Sequence, residues 1–344
     1  MLAAVVHKPN DLRIEKVETP ALQEGEVLLK VMACGVCGSD VHAYEGHHFR
    51  TTYPRILGHE FSGVVHQLGP GATKVKEGDR VCAETNIPCG KCSLCREGTS
   101  HLCKDIQVIG FNRDGGYAEY VAIPERNLVP LPDDLTFEHA TIAQPLGVGY
   151  HAVVDRAEVK PGQDVVIFGA GPVGLGVLAM TRVSGARTIL VELLPHRIEV
   201  AKQLGADEII NAASEDVIER VKELTNGEGA PWVFEAAGGN QEKTISIATQ
   251  VVKPRGVVVV VGTFPRAIPL RMNDLRGKEL DIRGTRGQYQ TYAKCINLVA
   301  SGKIDLMAEL SAKLPIREAQ TGLEMMAGKR EPVTKVLLVA NELL

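Results

Sequence analysis

No apolar run reaches the length of about 18 residues that a bilayer-crossing helix needs, so no transmembrane segment is expected. An excess of basic residues is also missing. Lys and Arg number 38 against 42 Asp and Glu, a net charge of −4 with a pI near 6.2, and no basic footprint for nucleic acid is present. Met1 to Lys8 hold a short apolar stretch without a basic region before it, so no secretory signal is expected. Internal repeats and low-complexity tracts are absent. With no secretory signal, the 8 cysteines suit metal binding or catalysis better than disulfides, and a cytoplasmic location follows as an expectation. What remains is a chain of 344 residues with 44% apolar content, ordinary globular composition at a length that suits two domains.

The chain is organised around one glycine-rich stretch. Val165 to Phe168 is the short apolar run of a buried parallel strand. Gly169, Gly171 and Gly174 follow as G-x-G-x-x-G, with Pro172 and Val173 between the last two. The first glycine permits a tight turn, the second lets backbone approach a pyrophosphate, and the third lets a helix pack on the strand. The helix N-terminus offers free N–H groups to phosphates. A second strand, Thr188 to Leu193, brings Glu192 eighteen residues after Gly174. An acid there accepts ribose hydroxyls and repels a 2′-phosphate, which favours NAD over NADP. The plainer alternative is a buried strand–helix turn with a solvated glutamate. Agreement of spacing, strands and acid favours the dinucleotide.

Strand and helix alternate from residue 149 to about 286, which predicts a doubly wound parallel α/β sheet. Helices are expected at Pro195–Leu204, Glu215–Leu224 and Thr291–Ser301, and strands at Glu208–Ile210, Trp232–Ala237, Gly256–Gly262 and Leu280–Gly284. The first 33 residues look β-rich, with strands at Leu2–Val6 and Glu26–Val31. Val108 to Val121 reads as strand, Asp-Gly turn, strand. Val336 to Val339 is strand-like and is expected to complete the β-core of the first part.

Two groups of residues carry metal chemistry. Cys37, His59 and Glu60 supply a thiolate, an imidazole and a carboxylate, a set that suits Zn²⁺. Three protein ligands with a fourth place open is the pattern of a catalytic site. Cys89, Cys92, Cys95 and Cys103 form C-x2-C-x2-C-x7-C, which suits a closed tetrahedral zinc site. Two disulfides or an iron–sulfur cluster are the alternatives.

The pattern Gly35–His42 followed by Gly58–Gly69 resembles the zinc-dependent medium-chain dehydrogenase/reductase family, in its sorbitol (polyol) and threonine dehydrogenase branch. The resemblance extends through Gly78–Val81, the cysteine loop, Gly115–Tyr120 and the glycine loop. It implies a split architecture. A GroES-like β-rich catalytic domain takes residues 1–148 and 287–344, with the structural zinc lobe at 89–103, and a Rossmann domain takes 149–286, the active site lying in the cleft between them. It implies a catalytic zinc on Cys37 and His59, with Glu60 a ligand in the polyol branch, and a structural zinc on the four-cysteine lobe. By the same resemblance the Ser39 hydroxyl bonds the substrate oxygen and His42 ends a proton relay to solvent. Phe111 and Arg286 face the substrate, and Arg197 faces the adenine. A turn hydroxyl, a surface histidine, a core aromatic and a solvated helix arginine are the bland alternatives for Ser39, His42, Phe111 and Arg197. Asp40 is expected to fix local structure and Cys34 to pack, while His47 and His48 wall the pocket or face solvent.

One position departs from the branch. Relatives carry Glu-Pro-Leu where this chain has Gln144, so the amide either ligates zinc or only hydrogen-bonds nearby, with one negative charge fewer. The implied activity is hydride transfer between a secondary alcohol and NAD. The alcohol class spans polyols, sugar acids, cyclitols and amino alcohols such as threonine, with Arg50, Asn112 and Arg286 as polar contacts. An NADPH-linked quinone or enone reductase of the same fold lacks zinc, and Cys37, the cysteine lobe and Glu192 speak against it. A non-catalytic nucleotide-binding protein is the other alternative, invited by Gln144. By family analogy a homo-oligomer, commonly a tetramer, is expected.

Overall fold

Glu26–Val36 is apolar at nearly every position, and every residue but Lys30 is buried. A strand of this kind needs neighbours on both edges and cover on both faces. It obtains antiparallel partners in Phe61–Leu68, Tyr120–Pro124 and Lys335–Val339. Arg80–Ala83 and Leu128–Pro130 extend the sheet on one side, and Leu310–Pro315 pairs parallel to Lys335–Val339 on the other. Leu2–Lys8, Asp11–Lys16 and Arg55–Ile56 form a separate three-stranded sheet. These elements belong to one of two compact units of the computed structural model, which comprises Met1–Gln144, Tyr292–Gly302 and Leu310–Leu344. The second unit comprises Pro145–Thr291 and Lys303–Glu309. The residues described are 1–264, 266–288, 290–330 and 332–344. Among them, no helix is long and apolar enough to cross a membrane.

The C-terminal strand joins the first unit as the sequence predicts. Its register sets Val336 opposite Val36, Leu337 opposite Gly35 and Leu338 opposite Cys34. The expected hairpin at 108–121 does not form. Gln107–Val108 pairs instead with Asn86–Ile87, and Tyr120–Pro124 pairs with the long strand. Between them the chain lies against residues 56–58: the Gly115 N–H donates to Ile56 O, Gly116 to Gly58 O and Tyr117 to Leu57 O. Asp114 accepts from the Ile56 N–H and from Arg55 rather than closing a turn.

The second unit holds six parallel strands in the order Glu208–Asn211, Arg187–Glu192, Asp164–Phe168, Ala230–Glu235, Val252–Val260 and Asp281–Gly284. The first strand in sequence lies at the centre, so strand order reverses beside it, and ligands bind such sheets at that reversal, outside the carboxyl ends. Helices Pro172–Val183, Pro195–Gln203, Val217–Leu224 and Gln241–Val251 link the strands. One helix starts two residues later than predicted, because Asp216 caps it by accepting from the Ile218 and Glu219 N–H groups. The strand ending at Val260 starts earlier than predicted, at Val252. A register shift absorbs Lys253–Arg255, where Arg255 takes φ +60.

Candidate active site

The long strand ends at Val36, and Cys37 occupies the cap position of the short helix Gly38–Tyr44. Asp40, in its first turn, is fully buried and accepts three hydrogen bonds. The Cys37 N–H donates at 3.0 Å, the Tyr117 hydroxyl at 3.1 Å, and the His59 Nδ1 position lies at 3.1 Å. Burial pushes the Asp40 carboxyl up, but His59, the Cys37 N–H and the Tyr117 hydroxyl outweigh it and hold it below the usual range. Burial pulls His59 down, yet the Asp40 charge and hydrogen bond, with Cys37, place it well above the ordinary histidine value. With Nδ1 turned to Asp40, His59 presents Nε2 to the open side. Ser39 Oγ lies there, 3.4 Å away.

His59 and Glu60 precede the strand Phe61–Leu68, and the Glu60 carbonyl accepts from the Gly35 N–H at 2.7 Å. The Glu60 carboxylate lies directly over Gly35, where a Cβ would come within 2.2 Å of it, so any larger residue there must displace that carboxylate. It pairs with the Lys335 ammonium, and both side chains are buried. Donor atoms of Cys37, His59 and Glu60 lie within 4.8 Å of one another. Thiolate, imidazole and carboxylate at that spacing need only small rotamer changes to close on one zinc ion.

Phe111 is buried, stacks on His48 at 4.0 Å, and sits 4.8 Å from His59, so it belongs both to the core and to the wall of the site. Burial, aided by His59, drives His48 down to about 4. Cys34 is buried in the core, where burial raises its thiol. Gln144 is buried on the helix Phe137–Tyr150. One turn earlier on the same face, Thr141 meets Ser62 Oγ at 2.8 Å and donates to Ala33 O at 3.3 Å. This anchors the helix to both strands that lead into the site. His42 and His47 are exposed.

In the cysteine lobe the sulfurs of Cys92 and Cys95 lie 3.5 Å apart, Cys92 and Cys103 3.9 Å, and Cys89 and Cys95 4.0 Å. Edges of a tetrahedral zinc–thiolate site are about 3.8 Å for Zn–S bonds near 2.3 Å. These separations exceed the roughly 2.05 Å of a disulfide bond and match ligands around one metal ion, which favours metal over disulfides in the lobe. Backbone N–H groups of Lys91 and Cys92 draw Cys89 down to about 6, favouring the thiolate that binds metal.

In the second unit, Gly169, Gly171, Glu192 and Arg197 line a crevice of about 1260 Å³ with Ala237 and Asn240. A Cβ on Gly174 would stand 1.9 Å from the Gly169 carbonyl, so helix and strand pack there only without one. A Cβ on Gly171 would meet nothing but Arg197 Nη1, at 3.7 Å, which leaves an open cradle beside a cation. Glu192 is buried at its strand end and accepts from the Ala170, Leu193 and Leu194 N–H groups at 2.8, 2.6 and 3.0 Å. Arg197 reaches the glycine turn and lines the same crevice. Arg286 lies half-buried beyond the strand Asp281–Gly284.

Comparison with known proteins gives the family. Residues 23–133 match the alcohol dehydrogenase GroES-like domain, and residues 172–301 match the zinc-binding dehydrogenase model. A sorbitol dehydrogenase of Bacillus subtilis (strain 168) is 35% identical over 99% of this chain and 98% of its own. The chain belongs to the zinc-type alcohol dehydrogenase family. An L-threonine 3-dehydrogenase of Bacillus licheniformis is also 35% identical, over 98% of this chain and 99% of its own. A solved zinc-binding dehydrogenase from Sinorhizobium meliloti 1021, bound to NADP, superposes with a TM-score of 0.92 at 29% identity, covering 98% and 99% of the two chains.

Two members of the site escape the sequence reading. Tyr117 was visible only as part of the Gly115–Tyr120 pattern, and its hydroxyl proves to hold Asp40. Lys335 is the sole charge opening an otherwise apolar strand, and that oddity was its signal. Its place beside Glu60 depends on pairing between strands some 300 residues apart in sequence, which periodicity does not encode.

Proposed function

We propose that this protein oxidises a secondary alcohol with NAD, using zinc held by Cys37 and His59 with Glu60 beside it. The observation that carries this is the donor set of Cys37, His59 and Glu60, with Ser39 against the free face of His59. Bound zinc supplies Lewis acidity that makes an alcohol hydroxyl easier to deprotonate, and NAD accepts the hydride. Asp40 fixes the tautomer of His59 and keeps Nε2 available as a ligand. Ser39 relays the hydroxyl proton, accepting it as its own O–H proton passes on toward His42, which is exposed one turn along the same helix face and releases a proton to solvent. Lys335 offsets the Glu60 charge, so the site carries less negative charge than its three donors imply. Gln144 adds a neutral amide rather than a carboxylate. Phe111 provides an apolar wall, and Arg286 is a substrate contact.

The four-cysteine lobe holds a second, structural zinc, having no place left for a substrate. The glycine turn with Pro172, Val173 and Arg197 takes the cofactor. Glu192 makes NAD the preferred form, although the Sinorhizobium relative was solved with NADP. The substrate is a polyol, sugar acid, cyclitol or amino alcohol. Free thiols and thiolate metal sites suit the reducing cytoplasm, and the family analogy favours a homotetramer.

The test is NAD reduction by a panel of such alcohols, with Ser39→Ala and His42→Ala alongside. NAD-linked turnover that falls about 10²-fold or more in Ser39→Ala, and less steeply in His42→Ala, is expected. Cofactor binding by zinc-replete protein without turnover on any alcohol would instead favour the non-catalytic reading.

A further inference from the structure

The helix Gly38–Tyr44 ends in a turn that sets three metal-binding side chains together on the surface. Gly46 takes φ +83, and the His47 N–H donates to the His42 carbonyl at 2.8 Å, closing the helix in a Schellman-type turn. A Cβ on Gly46 would strike Pro9 within 2.7 Å, so the turn is held in place by a neighbouring loop as well as by its own hydrogen bonds. His42 and His47 emerge side by side, with Glu45 between them in sequence. One donor atom from each of His42, Glu45 and His47 lies within 4.8 Å of the others. The Glu45 carboxylate is divided in its contacts. Oε1 accepts from Lys329 Nζ at 2.8 Å, while Oε2 lies 3.8 Å from His47 Nδ1. One carboxylate oxygen is therefore spoken for, and the other lies toward the His47 imidazole.

We propose that His42, Glu45 and His47 form an external site for a divalent transition ion such as Zn²⁺. Two imidazoles and a carboxylate match the ligand types of Zn²⁺, Ni²⁺ and Cu²⁺, and do not suit Ca²⁺ or Mg²⁺, which take oxygen donors. Closing 4.8 Å to the separations within a coordination shell requires only rotation of exposed side chains on a fixed turn. The site lacks a thiolate, its two imidazoles are exposed and its carboxylate is shared with Lys329, so it is weaker than the thiolate-bearing sets at Cys37 and in the cysteine lobe. An ion here occupies a His42 nitrogen and prevents it from carrying protons. Excess zinc therefore inhibits by capturing the exit of the proton path, without displacing the zinc at Cys37. That consequence rests on the relay role proposed above for His42, whereas the site itself does not.

The experiment titrates Zn²⁺ into protein already carrying its tightly held zinc. Binding is followed by calorimetry and steady-state turnover at each concentration. His47→Ala changes an exposed residue outside the catalytic machinery and keeps its activity in low zinc. In that variant the additional binding weakens by about tenfold or more, as expected for loss of a ligand. Inhibition by excess zinc shifts to higher concentration by the same factor. His42→Ala also loses the additional binding. An unchanged isotherm in both variants overturns the site. Loss of binding in His47→Ala with no change in zinc inhibition keeps the site and overturns its link to proton exit. Should no alcohol be turned over at all, the calorimetry alone still decides whether the site exists.

Discussion

At the scale of single residues, buried charges that meet their partners define the candidate active site. Lys335 and Glu60 are both shielded from water and pair with each other. In protein stripped of the zinc at Cys37, Lys335→Met leaves the Glu60 carboxylate buried without its cation, which costs about 3–5 kcal/mol in denaturant unfolding. Glu60→Gln placed on top of Lys335→Met recovers part of that loss, since an amide is far less costly to bury. An additive double variant contradicts the pairing. Glu235 is the opposite case. It lies fully buried at the end of a central strand, with Thr244 donating to one oxygen at 2.8 Å, and burial pushes its carboxyl up to about 7. The native state then holds a proton that the unfolded chain has released, over the range from 4.5 to about 7. Stability supplied by the protonated form is full below that range and is lost as pH rises through it. The total is of order 3 kcal/mol, at about 1.4 kcal/mol per pH unit. Glu235→Gln flattens this part of the stability curve, and a slope unchanged by the substitution contradicts the assignment.

At the scale of elements, glycine positions set how closely strand and helix approach. The Gly174 contact with the Gly169 carbonyl leaves no room for a methyl group. Gly174→Ala pushes the helix Pro172–Val183 off the strand and misaligns its N-terminus. NADH binding, followed by fluorescence titration, weakens by at least about tenfold while the first unit keeps its zinc. Tight binding by the variant contradicts the role given to this turn. The same elements show what sequence alone conveys. Short apolar runs, G-x-G-x-x-G and the acid at Glu192 made the parallel sheet legible, because each is a local pattern with a local physical cause. The Asp114–Gly115 pair misled for the same reason. It carries a turn signal, but its backbone hydrogen bonds go to Ile56, and such a tertiary partner leaves no trace in local order.

At the scale of the whole molecule, the chain gathers its chemistry at a few strand ends. The donor set of Cys37, His59 and Glu60 was readable because metal ligands are chemically distinct and clustered in sequence. Lys335 and Tyr117 were not, since they reach the site through pairing of distant strands. Family membership adds the class of reaction, and the substrate depends on side chains whose convergence is a property of the fold. The central claim is that one zinc sits at Cys37 and a second in the cysteine lobe. Zinc per chain should therefore be counted by elemental analysis after gel filtration has removed loosely bound ions, in native protein and in Cys37→Ala. Two zincs falling to one, with loss of NAD-linked turnover, is the predicted result. One zinc in both proteins would confine metal to the lobe and contradict a zinc-dependent reaction at Cys37.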